Sequence, residues 1–531
     1  MAVAVFALTI VLAAFNELPP LNIQPGLPAR ILVAAVPLAA AAVAAWAVLR
    51  PWPAILAVLL LTPVWDAAQV SWFAPQIQLV RAGPISLQTP PIQVILQTAF
   101  VAALAIGVMF RDSRHKEVRL PAAEPLAGDR RGISWPANHH VGWAAVIVLL
   151  GLAILSTLRS PNYTASLTVL VHGIFEPVAM SALVLALATT RRRLAFILVA
   201  LGISVALGGA IDLIQSIPPV DSLKALQSER LLFSRLTYFN VGLFGEVLAM
   251  AAPLVLGAIF ARRYLGLSRF AVAVLLLALA VGGASLFLTF SKSAYLATGG
   301  GVLVFLLLRS RTWRRRASMV AASVVLSAVV VPWPALVLSV VPPADAAYSA
   351  AITQLEGASR FNSWNPATLA GQGSLVERFY ATTAALQMAA DHPLLGVGLD
   401  QFGPEYAAAY QKPQSHFAAD SAHTFWPEVA AELGIPALLM VLVIFAAAML
   451  ALWRLYRAPP DGFTRILAVT LLASLAAWLI VATAFAGDMY RPWRNMSSDF
   501  VMMAVLVAAA FALSRSVHPW VRRPKPVRAE A

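Results

Sequence analysis

The chain has 531 residues, of which 60% are apolar and 12% charged, with a formal net charge of +14. A soluble globular chain is about 45–50% apolar and about 25% charged, so a single water-soluble domain is excluded; so apolar a chain also collapses rather than staying disordered. There is no cysteine, which excludes disulfides, thiolate metal sites and cysteine nucleophiles.

What remains is an all-α polytopic membrane protein. Long apolar runs closed by charge or proline clusters fall at 2–15, 31–49, 54–64, 92–110, 141–158, 165–190, 194–217, 241–261, 270–290, 293–308, 317–341, 424–453, 466–486 and 500–513. At about 20 residues per crossing they predict about 12–14 transmembrane helices. The run 54–64 is short and has a re-entrant reading beside the spanning one. The alternation of a membrane β-barrel, in ~10-residue strands, is absent.

If the spans alternate, the basic clusters within 111–131, 191–193, 262–269, 309–316, 454–465 and 515–528, with Arg50, share one side. That side holds 26 of the 38 basic residues and 6 of the 24 acids. The positive-inside rule makes it cytoplasmic, with both termini inside; the charge then needs no nucleic acid to explain it. Residues 1–15 lack the basic start of a cleaved signal and read as a retained span. The organisation follows: an N-terminal transmembrane bundle over 1–341 with a cytoplasmic loop at 111–140, one large outer loop at 342–423, C-terminal transmembrane helices over 424–514 and a basic tail at 515–531. Within the outer loop, 374–391 has helical spacing, with Leu375, Phe379, Leu386 and Met388 favouring one side, and Pro393 stops the helix.

The informative residues are cations on the otherwise acidic outer side. Arg230 and Arg235 precede the span 241–261, Lys292 occupies a short turn between two spans, and Arg491 and Arg494 lie in the outer loop 487–499. A cation near a helix end can simply snorkel to the headgroups. Several at one depth point to a shared anion, and diphosphate suits the bidentate fork of arginine. Glu246 lies in the first turns of its span, as a functional carboxylate or one half of a structural ion pair with an outer arginine. For Glu176 and Asp212 a boundary ion pair is the simpler reading than a proton relay.

Two motifs flank the end of the outer loop. In Asp391–Phe402 the proline and paired glycines make a shaped turn. In Ala422–Pro436, His423 stands where the loop re-enters the membrane, and Glu428 and Glu432, at i and i+4, share a helix face. Position alone leaves His423 between a catalytic base and an interfacial hydrogen-bonding residue. No Asp-x-Asp pair occurs, which argues against the metal clamp of nucleotide-sugar transferases; the glutamate pair leaves a metal open.

The run from Arg378 to Phe402, ending in HPLLGVGLDQF, followed by AHTFWPEVAAELGIPALL, resembles the bacterial O-antigen ligase and polysaccharide polymerase superfamily. Members carry an hP-G-G-N-F turn and then HN-L-ELG-G. Ser234–Met250, SRLTYFNVGLFGEVLAM, is similar to the family's arginine-plus-asparagine segment, and Leu288–Ala297, LTFSKSAYLA, to its SR-A turn. Here Lys292 stands where most relatives have arginine, and Thr424 where the asparagine follows the histidine.

The resemblance implies transfer of a glycan from undecaprenyl diphosphate to an acceptor hydroxyl, a glycan or a lipid A-core, at the periplasmic face of the bacterial inner membrane. It maps the catalytic base onto His423 and the diphosphate-binding cations onto Arg235 and Lys292. Arg230, Arg491 and Arg494 are further diphosphate candidates, and Glu246, His392, Arg378 and Glu432 supporting ones. The expected reaction is inverting and uses no cofactor and no metal; the partners are the lipid-linked donor, the acceptor and membrane lipids. A polymerase joining repeat units shares this chemistry, and a transporter is the alternative from another class. Against transport, ionisable groups cluster at the outer boundary rather than at the midplane.

Overall fold

The computed structural model describes residues 45–57, 59–60, 103, 106, 138–216, 241–288, 292–310, 312–330, 373–413, 415, 419–483 and 498–517. The expected span 2–15, most of 31–49 and 92–110, part of 54–64, the loop 111–137 and the tail from 518 lie outside these residues. The chain is all-α, with no strand among the described residues.

In chain order the helices are α1 (Asn138–Arg159), α2 (Tyr163–Val169), α3 (Glu176–Leu187), α4 (Arg191–Ser216), α5 (Val241–Phe260), α6 (Arg262–Leu265), α7 (Arg269–Leu288), α8 (Lys292–Arg309), α9 (Trp313–Val330), α10 (Gly373–Asp391), α11 (Phe402–Glu405), α12 (Phe425–Leu433), α13 (Ile435–Arg457), α14 (Gly462–Thr483) and α15 (Ser498–Val517). Among the described residues, windows in α1, α4, α7, α13 and α14 are long and apolar enough to cross a bilayer, and α3, α5, α8 and α15 hold shorter apolar helices. Inside hydrocarbon the backbone has only itself to bond, so apolar runs of this length fold as helices.

The centre of the bundle is α14. Of its apolar window 72% is buried, against 11% for the peripheral α7. α5, α8, α13 and α15 pack around α14, α1 lies along α13, and α3 along α15. The closeness of α8 to α14 depends on Gly301, where a Cβ would stand 2.8 Å from that of Ala477. Small residues at such crossings let helix backbones approach.

Arginines gather at one end. Arg191 pairs with Asp461 and with the Thr464 hydroxyl, Arg192 donates to the Leu265 carbonyl, Arg309 lies over the Phe260 ring, and Arg515 donates to the Leu185 carbonyl. Burial alone would raise the Asp461 carboxyl, but the Thr464 N–H and the Arg191 guanidinium outweigh it and hold its pKa below the usual range. The sequence assigned these clusters to one side, and the bundle brings them together there. The ends of α1, α8 and α13 that carry Arg159, Lys292 and Ile435 lie at the opposite end, called the far end below.

Two expected spans are interrupted. The run 165–190 folds as α2, a π-helical turn over Leu170–Phe175, and α3. The cause is Pro177, which has no N–H to give; the Glu176 N–H reaches back to the Val171 carbonyl instead. The run 424–453 breaks at Gly434, whose φ of +88° lies in the left-handed region, with Pro436 in the first turn of α13. A third expectation concerned the apolar face of 374–391. The helix forms, as α10, but Phe379 and Leu386 are 60% and 57% exposed, while Ala381, Ala384, Ala385 and Met388 are fully buried. Small side chains let α10 lie close against α12, which excludes the bulkier ones from that face.

Candidate functional site

The two motifs fold into one unit at the far end. The turn 392–402 wraps the C-terminal end of α12. The Val397 and Gly398 N–H groups donate to the Ala431 and Glu432 carbonyls at 2.8 and 3.3 Å, and the Ile435 N–H to the Pro393 carbonyl at 2.8 Å. The buried Glu432 carboxylate closes the clasp: Oε2 accepts the Asp400 N–H and Oε1 the Phe402 N–H, each at 2.9 Å. Gly396 has φ +67°, and a Cβ there would stand 2.3 Å from the Glu432 carbonyl carbon. Its glycine permits both the left-handed turn and the contact.

The clasp is anchored to α1 and α2. The Ser166 hydroxyl donates to the Leu399 carbonyl, and the Ser156 hydroxyl to the Glu432 carbonyl at 2.8 Å. The outer-loop motif and the junction of α1 with α2 therefore hold each other.

At the other end of α12 the backbone of Ala422 is gripped by side chains on both sides. Its N–H donates to Glu428 Oε2 at 3.1 Å, and its carbonyl accepts from Thr382 Oγ1, on α10, at 3.0 Å. The Thr382 hydroxyl also meets that of Thr424 at 3.1 Å. This grip fixes the next residue, His423, in the left-handed region at φ +53°, an uncommon conformation for a non-glycine residue. The His423 N–H donates to the Ser421 hydroxyl at 3.4 Å, and the same hydroxyl lies 3.5 Å from Nδ1. Ser421 is buried and His423 half-buried.

Ring contacts fix the direction of α12. Phe425 packs edge-on against Trp478 at 5.1 Å between centroids, and Phe445 stacks on the same indole at 4.5 Å. Phe445 lies about 15 Å along α13 from Ile435, at 1.5 Å per residue. α12 thus folds back from Gly434 toward the middle of α13, and its N-terminal end, with His423, is the deeper one.

A packed subdomain supports this arrangement from outside. Met388, Phe402, Tyr406, Ala422 and Ala431 share one small core. The Tyr406 hydroxyl donates to Ser415, which donates to Glu377, and the Tyr410 hydroxyl donates to Asp391 Oδ2 at 2.8 Å. Burial, with the carboxylate of Asp391 beside it, pushes the Tyr410 phenol up to about 12. Burial raises Tyr406 as well.

Of the residues singled out from the sequence, His423, Glu428, Glu432 and Arg378 belong to this unit; Arg378 lies one turn before Thr382 on the same face of α10. His392 is exposed and sits at the Gly434 end of α12, about 12 Å along that helix from Phe425; the structure does not bring it to His423. Glu246 is fully buried near the far end of α5, and Glu176 is buried where α3 begins. Lys292 opens α8 at the far end, with only its backbone described. Arg230, Arg235, Arg491 and Arg494 lie outside the described residues, as does the Asp212 side chain. The possible metal pair, Glu428 and Glu432, instead accepts backbone N–H groups. Among the described residues no cluster of three or more His, Asp or Glu could hold a metal ion. Sequence reasoning missed Thr382, Ser421, Ser156 and Ser166, ordinary hydroxyl residues whose partners are set only by folding.

A family model described as O-antigen ligase matches residues 277–442. The matched stretch begins within α7 and ends within α13, so it takes in α8, α10, the clasp and the whole of α12. No curated protein matches the chain.

Proposed function

We propose that the chain, whose residues 277–442 match a family model described as O-antigen ligase, transfers a glycan from undecaprenyl diphosphate to the hydroxyl of a glycan or lipid A-core acceptor. The reaction runs at the periplasmic face of the bacterial inner membrane, with both termini in the cytoplasm. His423 takes the proton of the acceptor hydroxyl. The hydroxyl oxygen forms its bond to the anomeric carbon from the face opposite the diphosphate. The bond from that carbon to the diphosphate oxygen breaks, its electron pair leaves with the diphosphate, and the configuration inverts. Arg235 and Lys292, with Arg230, Arg491 and Arg494, neutralise the departing charge. No step calls on a metal.

The observation that carries this reading is the double grip on Ala422, which holds His423 in a costly backbone conformation at the deep end of α12. A merely interfacial histidine needs no such support. Lys292 begins α8 at the far end of the bundle.

The test is purified protein incubated with undecaprenyl-diphosphate-linked oligosaccharide and candidate acceptors, with the product's anomeric configuration read by NMR. His423→Ala should lower turnover by about 10²–10⁴-fold, the usual range for a general base, without lowering the melting temperature. Unchanged turnover removes His423 from the chemistry. Arg235→Ala should weaken use of the donor.

A further inference from the structure

A histidine that acts as a base needs one ring nitrogen unprotonated and directed at the acceptor, and the surroundings of the two nitrogens decide which. The Ser421 hydroxyl oxygen accepts the backbone N–H of His423 at 3.4 Å, and the same oxygen lies 3.5 Å from Nδ1. Ser421 is fully buried, whereas His423 is half-buried. Nδ1 therefore faces the interior of the protein, and Nε2, across the five-membered ring, points away from Ser421.

The backbone explains this arrangement. At φ +53° residue 423 turns both its amide and its ring back toward the side chain two positions earlier, so that one oxygen meets both. Ala422, between the two, is fixed by Glu428 and Thr382, which keeps the oxygen and the ring in register. A hydroxyl carries two lone pairs and one hydrogen. The amide N–H, a donor only, takes one lone pair. Either the other lone pair accepts a proton held on Nδ1, or the hydroxyl hydrogen points at Nδ1 and the ring proton sits on Nε2. In the second case the outward nitrogen is already protonated and has no lone pair with which to take a proton from an acceptor.

We propose that Ser421 is a positioning residue that sets the tautomer of His423: its oxygen accepts the Nδ1–H, and the base is the unprotonated Nε2. The assignment rests on the transfer reading for the need of a base. In the step itself the acceptor's proton passes to Nε2, the acceptor oxygen bonds to the anomeric carbon, and the electron pair of the breaking bond leaves with the diphosphate. The imidazolium so formed still donates its Nδ1–H to Ser421, and this contact strengthens as the ring becomes charged, because a charged donor makes the shorter and stronger bond. Catalytic hydrogen bonds are often long before substrate binds and tighten with it, which fits the 3.5 Å separation.

The experiment uses the full chain in nanodiscs, isotope-labelled at histidine, at about pH 8.5, above the ~6.5 at which an unperturbed imidazole titrates. His423 is distinguished from the other histidines of the eight in the chain by subtracting the spectrum of His423→Gln. In carbon–nitrogen correlation NMR, Cγ reports on Nδ1 and Cδ2 on Nε2, and the protonated nitrogen should be the one bonded to Cγ. Ser421→Ala should move the proton to Nε2 and lower the turnover number by about tenfold, the effect of losing one hydrogen bond, with little change in the Michaelis constant. Ser421→Thr, which keeps the oxygen, should restore both the tautomer and the turnover. A proton on Nε2 in the wild type, or a Ser421→Ala protein with unchanged tautomer or unchanged turnover, overturns the proposal. The wild-type spectrum decides the matter even where Ser421→Ala does not fold. The two readings fail separately: a proton on Nε2 in an enzyme that loses turnover on His423→Ala sinks this assignment alone, and unchanged turnover in His423→Ala sinks the base reading whichever nitrogen carries the proton.

Discussion

Oε1 of Glu432 accepts the backbone N–H of Phe402 at 2.9 Å, across thirty positions of the chain and in a fully buried setting. The other oxygen of that carboxylate takes the Asp400 N–H. The charge of Glu432 is thereby spent on shaping a turn. Glu432→Ala would leave two amides without their acceptor at a cost of about 1–3 kcal/mol each. The expected result is a melting temperature lowered by several degrees and faster proteolysis within 392–402. Glu432→Gln, which keeps one acceptor oxygen, should lose roughly half as much. Equal stability of all three proteins would contradict the clasp.

The joint between α12 and α13 is equally exacting. A Cβ at Gly434 would stand 2.3 Å from the Leu394 carbonyl oxygen, and φ is +88°. Backbone cannot yield there as a flexible side chain would, so Gly434→Ala should cost about 3 kcal/mol or more and abolish folded protein in detergent. At Gly299 a Cβ would meet nothing within 4 Å. Gly299→Ala, read by the same melting assay, should be neutral or slightly stabilising.

Thr382 is a positioning residue, acting through Ala422 and Thr424 on His423. Thr382→Val keeps its shape and removes both hydroxyl contacts. The expected outcome is a turnover number lowered by about tenfold with little change in the Michaelis constant, the pattern of a transition-state defect, alongside a stability loss of about 1 kcal/mol. Thr382→Ser, which restores the hydroxyl, should recover most of the turnover. A loss of stability with unchanged turnover would make Thr382 purely structural.

Tyr410 gives a spectroscopic signature. Its phenol ionises near 10 in an open chain and at about 12 in the folded protein, because burial and the Asp391 carboxylate oppose the anion. Between those values the folded state binds the extra proton, so stability falls as pH rises from 10 through 12. The tyrosinate absorbance of the wild type minus that of Tyr410→Phe should therefore titrate near 12. A midpoint near 10 would mean that Tyr410 is not held against Asp391.

The Arg191–Asp461 pair sets the opposite pH limit. The Asp461 carboxyl is depressed in the folded protein, so its contribution is present above the ordinary carboxylate pKa and disappears as pH falls through the lower folded value. Both side chains are partly exposed, 35% and 40%, which keeps the effect within about 1 kcal/mol. Asp461→Asn should lower the melting temperature slightly at neutral pH and not at all at the acid limit.

Some of this architecture is set by composition and order along the chain. Hydropathy runs locate α1, α4, α5, α7, α8, α14 and α15 to within a few residues, because hydrocarbon leaves the backbone no partner but itself and length alone then selects a helix. Arginine placement separates the two ends for the same local reason. The motifs around His423 and Glu432 were likewise legible as residue types. Folding determined the rest, since it rests on partners far away in sequence: the break at Gly434 against Leu394, the alanine face of α10 against α12, the grip of Thr382 on Ala422, and the bond from Ser156 to Glu432 across 276 positions. No local pattern encodes such pairs, because a hydroxyl or a carboxylate acquires its role only when packing brings one particular backbone group within reach.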